Sequence, residues 1–261
     1  MNWIEALILG IVQGLTEFLP VSSSGHLEIG KALLNIDMEK TLIFTVVVHG
    51  ATVLSTITVF YSELIKLLKE GLFKKYNEST AYILKIILSM LPVLFVGLFF
   101  EEKVSALFDG DMIFVGSMLI VTAVLLASTR LIKSEGIKNI PFRDALIIGF
   151  AQAVAVLPGI SRSGSTIATG LLLGNKREDV ARFSFLMVLI PIIGANLLEI
   201  FRGDLSPSGN IPVSVLFIGF LSAFVTGYFA CKWMINLVKK GNLIYFSLYC
   251  LLLGISAIIF A

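Results

Sequence analysis

Apolar residues run along this chain in long blocks, not in the interleaved pattern of a soluble domain. Six blocks, at roughly 41–62, 80–100, 112–132, 180–201, 212–232 and 243–260, are long enough to cross a bilayer as helices, since a spanning helix needs about 20 mostly apolar residues. Two more, 3–19 and 143–157, are too short to cross. Each runs into a segment of Pro, Gly and Ser, and a second short apolar piece follows at 27–34 and 166–174. Backbone that leaves the helix at membrane depth is tolerated only where it is buried in protein or lines a cavity. The two short pairs therefore read as re-entrant helix-loop-helix elements. The pattern predicts an all-α polytopic membrane protein with six transmembrane helices plus two re-entrant pairs.

The two pairs are related to each other. Sliding the chain by 139 residues lays ALILGIVQGLTEFLPVSSSG (6–25) over ALIIGFAQAVAVLPGISRSG (145–164) without a gap. Gly10 meets Gly149, Gln13 meets Gln152, Ser22 meets Ser161, Ser24 meets Ser163 and Gly25 meets Gly164. At the same offset Phe44 meets Phe183 and Thr45 meets Ser184. Shared hydrophobicity produces matching leucines, but not matching glutamines, serines and glycines together. The chain reads as a duplication, residues 1–134 and 135–261, within one integral-membrane domain. Each repeat holds three spanning helices, an odd number, so the second starts from the opposite side and the repeat is inverted. Transporters built this way carry their sites near the midplane, between the repeats.

Composition and charge agree. Hydrophobic residues make up 57% of the chain and charged residues 15%, against about 25% charged in soluble domains. A net charge of +2, with no basic stripe, argues against nucleic acid as a partner. Cys231 and Cys250 form neither a metal spacing nor a disulfide framework, and read as packing residues. With six crossings, four of the basic residues fall on the side of the two termini and fifteen on the other; Arg162 is the twentieth. Positive charge marks the cytoplasmic side. Both termini, and the tip bearing Glu17, are therefore expected to face outward.

The duplicated tips differ where it matters chemically. Glu17 aligns with Val156, Ser23 with Arg162, and His26 with Ser165. The ionisable groups occur once each, acid and imidazole on one tip and guanidinium on the other, so bringing the tips together makes one composite site. SSSGH and SRSGST are rich in glycine and hydroxyls where a second short helix begins. A helix N-terminus offers free N–H groups and a positive dipole end to an anion, and arginine adds a planar fork matched to phosphate oxygens. The simpler reading has the serines cap a helix and Arg162 snorkel to the surface. An arginine within the membrane costs about 2.5–3.5 kcal/mol or more at the bilayer centre, which favours a functional role. Gln13 and Glu17 are four apart, on one helical face. Glu17 either neutralises Arg162, stays solvated at the interface, binds a metal ion or acts as a base. His26 is a polar cap or a participant, and His49, which meets Val188 at the offset of 139, is left open. Gly219, Ala223 and Gly227 recur at four-residue spacing and suit either a homodimer contact or internal packing.

At these residues the sequence resembles a known family, the integral-membrane undecaprenyl-diphosphatases of the bacitracin-resistance type. GLTEFLPVSSSGH (14–26) resembles that family's first signature and PGISRSGST (158–166) its second, and FSFL at 183–186 fits as well. The likeness extends over essentially the whole chain. It implies hydrolysis of a polyisoprenyl diphosphate to the monophosphate and inorganic phosphate at the outer face of the cytoplasmic membrane. That step recycles the lipid carrier of cell-wall synthesis. It implies a catalytic set of Glu17, Ser23, His26 and Arg162. Gln13, Ser22, Ser24, Gly25, Ser161, Ser163, Gly164 and Ser165 would surround the diphosphate, and a divalent cation, Mg²⁺ or Ca²⁺, would touch Glu17 as its metal ligand. The family's acidic motif is Glu or Gln followed four residues later by Glu, and this chain has the Gln form at Gln13. The nucleophile is then either a water or Ser23. A transporter or flippase of a phosphate-bearing lipid or small anion is the rival. Architecture alone favours that rival, whereas Glu17, His26 and Arg162 together favour hydrolysis.

Overall fold

The computed structural model describes residues 1–34, 36, 42–73, 75–108, 110–132, 138–202 and 211–261. The first short pair is α1 (Trp3–Phe18) and α2 (Ser23–Leu33). After it come α3 (Leu42–Val59), α4 (Tyr61–Phe73), α5 (Glu78–Phe99), the short α6 (Glu101–Ser105) and α7 (Met112–Ser128). The second short pair is α8 (Phe142–Val154) and α9 (Arg162–Leu172), followed by α10 (Arg177–Met187), α11 (Leu189–Arg202), α12 (Val213–Lys240) and α13 (Ile244–Ile259). Lys40, Lys74 and Lys133 of the charge count, residue 41 and the repeat boundary at 134/135 lie outside the described residues.

All six apolar blocks fold as helices. Five spans are long and apolar enough to cross a membrane: Leu42–Val59, Glu78–Phe99, Met112–Leu131, Arg177–Glu199 and Val213–Lys240. The sixth block is α13, apolar but only 16 residues long. Local chemistry moves several boundaries from where hydropathy puts them. The span from Arg177 is broken at Val188 into α10 and α11, because Pro191 has no N–H for the Met187 carbonyl and its ring crowds that turn. The block at 41–62 runs on past Phe60 into α4, whose first turns carry Glu63 and Lys66. At the other end of the chain α12 continues to Lys240 and stops at Gly241, whose φ of 73° terminates it. The second members of the short pairs begin at Ser23 and Arg162, four residues before the apolar runs do. Ser22 and Ser161 cap them, each Oγ accepting a hydrogen bond from the N–H three residues on, Gly25 at 3.2 Å and Gly164 at 3.0 Å. What the sequence presents as polar loop is therefore the first helical turn.

Helix ends recur at the same offset. α2 and α9 begin and end at positions 139 apart, and α1 and α8 begin 139 apart. α1 packs along α12 as α8 packs along α5, while α7 packs along α13. Phe44 and its counterpart Phe183 are both fully buried. The stripe of Gly219, Ala223 and Gly227 is used inside the molecule. A Cβ on Gly219 would meet the Phe44 ring at 2.3 Å, and one on Gly14 would meet Ala223 O at 2.5 Å and Gly227 N at 2.8 Å. Cys231 and Cys250 are free and buried, as packing residues should be.

Candidate active site

The two short pairs meet tip to tip. A Cβ on Gly25 would lie 3.2 Å from the Gly159 Cα, and one on Gly164 3.3 Å from the Pro20 Cβ. Gly159 has φ of +93°, and a side chain there would strike Val115 O at 2.5 Å, so only glycine fits this turn. Ser163 Oγ donates across the junction to Leu19 O at 3.2 Å. Thr122 of α7 stitches the second tip from behind, donating to Gly159 O at 3.2 Å and accepting from Ser161 N at 3.0 Å. The first tip is held by Cys250, whose thiol donates to Pro20 O at 3.7 Å. Ser22 has φ of 70°, the only non-glycine residue with positive φ among the described residues. Strain of this kind persists only where the surroundings fix it, and it gathers at functional sites.

Glu17 is the centre of the junction. Its Oε1 accepts from Arg162 Nη2 at 3.1 Å, and its Oε2 accepts from Ser23 Oγ at 2.6 Å and from Gln13 Nε2 at 2.9 Å. His49 Nε2 stands 3.8 Å from the same Oε2. The Glu17 side chain is 7% exposed, so its charge is balanced by these partners and not by water. Arg162 is the first residue of α9 and Ser23 the first of α2. The N-terminal ends of both helices, with their unpaired N–H groups, therefore converge on this carboxylate and guanidinium.

The histidines are held differently. The Ser22 carbonyl can only accept, so His26 Nδ1 donates to it at 2.7 Å. In the neutral ring His26 Nε2 then accepts from the Tyr249 hydroxyl at 2.7 Å, and the two rings stack with centroids 5.6 Å apart. His26 makes no hydrogen bond to Glu17 or Ser23. His49 likewise donates from Nδ1 to Thr45 O at 2.9 Å, which leaves Nε2 towards Glu17.

Of the residues singled out from sequence, Gln13, Glu17, Ser23 and Arg162 form one connected cluster, and Ser163 bridges the tips beside it. Ser22 and Ser161 act as caps, with Ser24 and Ser163 hydrogen-bonded to them at 3.2 and 3.3 Å. Gly25 and Gly164 supply the capped N–H groups. Ser165 is buried one position further on. His49 joins the cluster more closely than His26 does. Sequence reasoning missed Tyr249, which no motif marks. It also passed over the groups behind Arg162, where Thr52, Thr56, Gln152, Thr166 and Ser184 join Glu17 around a cavity of about 20 Å³, the volume of a single water. Two of those carried a signal, because Gln152 aligns with Gln13 and Ser184 with Thr45.

Among the described residues no three His, Cys, Asp or Glu side chains gather to hold a metal ion unaided. Gln13 Oε1 is buried beside Glu17 and has no hydrogen-bond partner. One carboxylate and one amide oxygen fit a hard cation that takes its remaining ligands from phosphate and water.

A profile of the family described as "Bacitracin resistance protein BacA" matches residues 6–256. A Parabacteroides distasonis protein named undecaprenyl-diphosphatase is 54% identical, over 99% of this chain and 98% of its own. One of the same name from Bacteroides fragilis strain YCH46 is 53% identical over the same shares. An undecaprenyl-diphosphatase 2 from Bacillus thuringiensis is 35% identical over 98% and 97%.

Proposed function

This chain belongs to the BacA family of bacitracin resistance proteins, and from that premise we propose that it is a membrane-embedded hydrolase of undecaprenyl or similar polyisoprenyl diphosphates. Its products are the monophosphate and inorganic phosphate, and its substrate is a membrane lipid. The observation that carries this reading is the composite site at the tips, with a hydroxyl on a buried carboxylate beside an arginine and two helix N-termini. A transporter of an anion needs the arginine and the helix ends, but leaves the Ser23–Glu17 contact without a task.

In the proposed reaction the diphosphate lies against Arg162 and the N–H groups opening α2 and α9, which neutralise its charge. Ser23 Oγ attacks the terminal phosphorus and gives its proton to Glu17 Oε2, already 2.6 Å away. The bond from that phosphorus to the bridging oxygen breaks, and its electron pair leaves with the lipid monophosphate. A water then attacks the phosphorus of the phosphoserine, the bond to Ser23 Oγ breaks, Glu17 returns the proton to that oxygen, and inorganic phosphate departs carrying the protons of the water. His49 Nε2, 3.8 Å from the same Oε2, is the next group able to carry a proton. Phosphoryl transfer depends mainly on positioning and charge stabilisation, and these contacts supply both. A divalent cation, Mg²⁺ or Ca²⁺, would be held by Glu17 and Gln13 Oε1 and would supply further neutralisation of phosphate charge. His26, with both ring nitrogens engaged by Ser22 O and Tyr249, would brace the turn that presents Ser23.

The active-site mouth and both termini would face out of the cell. In support, Lys66, Lys85, Lys176 and Arg182 border two adjoining pockets that share Glu78, Tyr82 and Asp179, so basic residues of the predicted cytoplasmic side gather in space. A homodimer would use a face other than the small-residue stripe, which α1 and α3 occupy. The test is phosphate release from a polyisoprenyl diphosphate by detergent-purified protein with Mg²⁺, then with EDTA, beside Arg162→Ala. The reading expects metal-dependent release that the variant loses. Absence of release from monodisperse protein and intact lipid would sink it.

A further inference from the structure

Two equivalent helix pairs, each joining one repeat to the other, pack differently. In the first, α1 meets α12 through Gly10 and Gly14: a Cβ on Gly10 would stand 2.6 Å from Gly219 O, and one on Gly14 2.5 Å from Ala223 O. In the second, α8 meets α5, and only the first glycine recurs. A Cβ on Gly149 would stand 2.4 Å from Ser89 O, but the counterpart of Gly14 is Ala153. A methyl group there prevents the backbone approach that Gly14 permits. Beside Ala153 the pair carries a groove of about 420 Å³ lined by Leu91, Pro92 and Phe95 of α5 and Phe150, Ala153 and Val154 of α8. Every side chain lining it is apolar.

This groove adjoins the catalytic cavity through one layer of side chains. Gln152, next to Ala153, lines the cavity with Glu17 and Arg162. Its Nε2 donates to Met90 Sδ at 3.8 Å, and Met90 is next to Leu91 of the groove. Along α8, a step of one residue, from Gln152 to Ala153, passes from the polar cavity to the apolar groove. A polyisoprenyl diphosphate has the same two-part character, a charged head for Arg162 and a long apolar tail that must lie close by. We propose that the groove between α5 and α8 seats the isoprenoid tail while the diphosphate occupies the Glu17–Arg162 site. The inference rests on the hydrolase reading above. Ala153, where the duplication departs from glycine, is the residue that sets the opening.

The test places a photoreactive p-benzoylphenylalanine at Phe95, 55% exposed in the groove, or at Val124, 65% exposed on α7 and outside it. Each protein is irradiated in phosphatidylglycerol vesicles containing radiolabelled undecaprenyl monophosphate. Labelling at position 95 is expected to exceed that at 124 by about tenfold and to be chased by unlabelled polyprenyl phosphate. Equal labelling, or labelling that added phosphatidylglycerol chases, would mark an indifferent lipid face and overturn the proposal. A second measurement uses Val154→Trp, which partly fills the groove from an exposed position. Its KM for an eleven-isoprene diphosphate should rise about tenfold, with kcat and the KM for a three-isoprene diphosphate unchanged. A change equal for both chain lengths would overturn the proposal. Unaltered protein that releases no phosphate from either substrate brings down the hydrolase reading itself, a result plainly different from loss of chain-length dependence.

Discussion

Glu17 sits where one hydroxyl, one amide and one guanidinium all point at a carboxylate that water barely reaches. Replacing it with Gln keeps the shape and removes both the proton acceptor and the charge that faces Arg162. A positioned base contributes roughly 10²–10⁴ in rate, so Glu17→Gln should lower kcat by about that factor in protein that still purifies folded. Ser23→Ala should do the same and, in the proposed path, abolish a phosphoenzyme. Acid quenching during turnover of a substrate labelled on its terminal phosphate is expected to show phosphoserine at Ser23. Turnover without any such label would assign the attack to water. Much of this cluster was legible before any coordinates, because an acid and an arginine occurring once each in a duplicated, membrane-depth motif demand a partner. His49 was not, since a histidine inside an apolar helix looks the same whether it faces lipid, a neighbour or a site. Tyr249 was invisible for another reason: its partner lies 223 residues away, and no local pattern encodes that pairing.

Helix existence followed from hydropathy, but helix ends followed from single polar atoms. Ser22 and Ser161 start α2 and α9 a full turn earlier than the apolar runs do, which turns loops into helix N-termini that open at Ser23 and Arg162, beside Glu17. Packing between elements depends on equally small features. On α1 a Cβ at Gly10 would stand 2.0 Å from Ser222 Oγ and 2.6 Å from Gly219 O. The hydroxyl can rotate away, but the carbonyl belongs to the helix. Gly10→Ala must therefore push α1 off α12, at a cost of about 1–3 kcal/mol, seen as a lower unfolding midpoint in detergent. The base of the second pair is braced by Asp144 at the start of α8, which accepts from Lys138 at 2.8 Å and Asn175 at 2.9 Å. Asp144 is 3% exposed, but Lys138 is 47% exposed and stays solvated without it, so the loss falls on the buried Asn175 amide and costs about 1–3 kcal/mol. Asp144→Ala should thus lower the midpoint about as much as Gly10→Ala in the same melting measurement. An Asp144→Ala midpoint equal to that of the unmodified protein would show that the brace carries nothing.

The molecule as a whole is two copies of one plan whose tips meet, with chemistry in the differences between the copies. That division explains why one sequence held both the fold and the outline of the site. Residues repeated at 139 build the turn, while Glu17, Ser23, His26 and Arg162 are not repeated, and three of them, Glu17, Ser23 and Arg162, meet at the junction. Where the copies part in packing, at Gly14 and Ala153, one pair packs backbone to backbone and the other carries an apolar groove. Three crossings per copy, the count read from the sequence, would make the chain begin and end on one side. Arg182, Lys239 and Glu178 form a linked surface cluster, Lys239 Nζ lying 3.0 Å from Glu178, and Gly241 packs against Arg177. These basic residues should face the cytoplasm, opposite the termini. Cys231 and Cys250 are buried and will stay silent towards a membrane-impermeant maleimide, so single added cysteines report sidedness directly. In intact cells Phe260→Cys, 87% exposed near the end of α13, should label, and Lys240→Cys only after permeabilisation. The reverse pattern would turn the molecule over and put the Glu17 mouth inside the cell. Labelling of both in intact cells would break the three-crossing count on which the inversion depends.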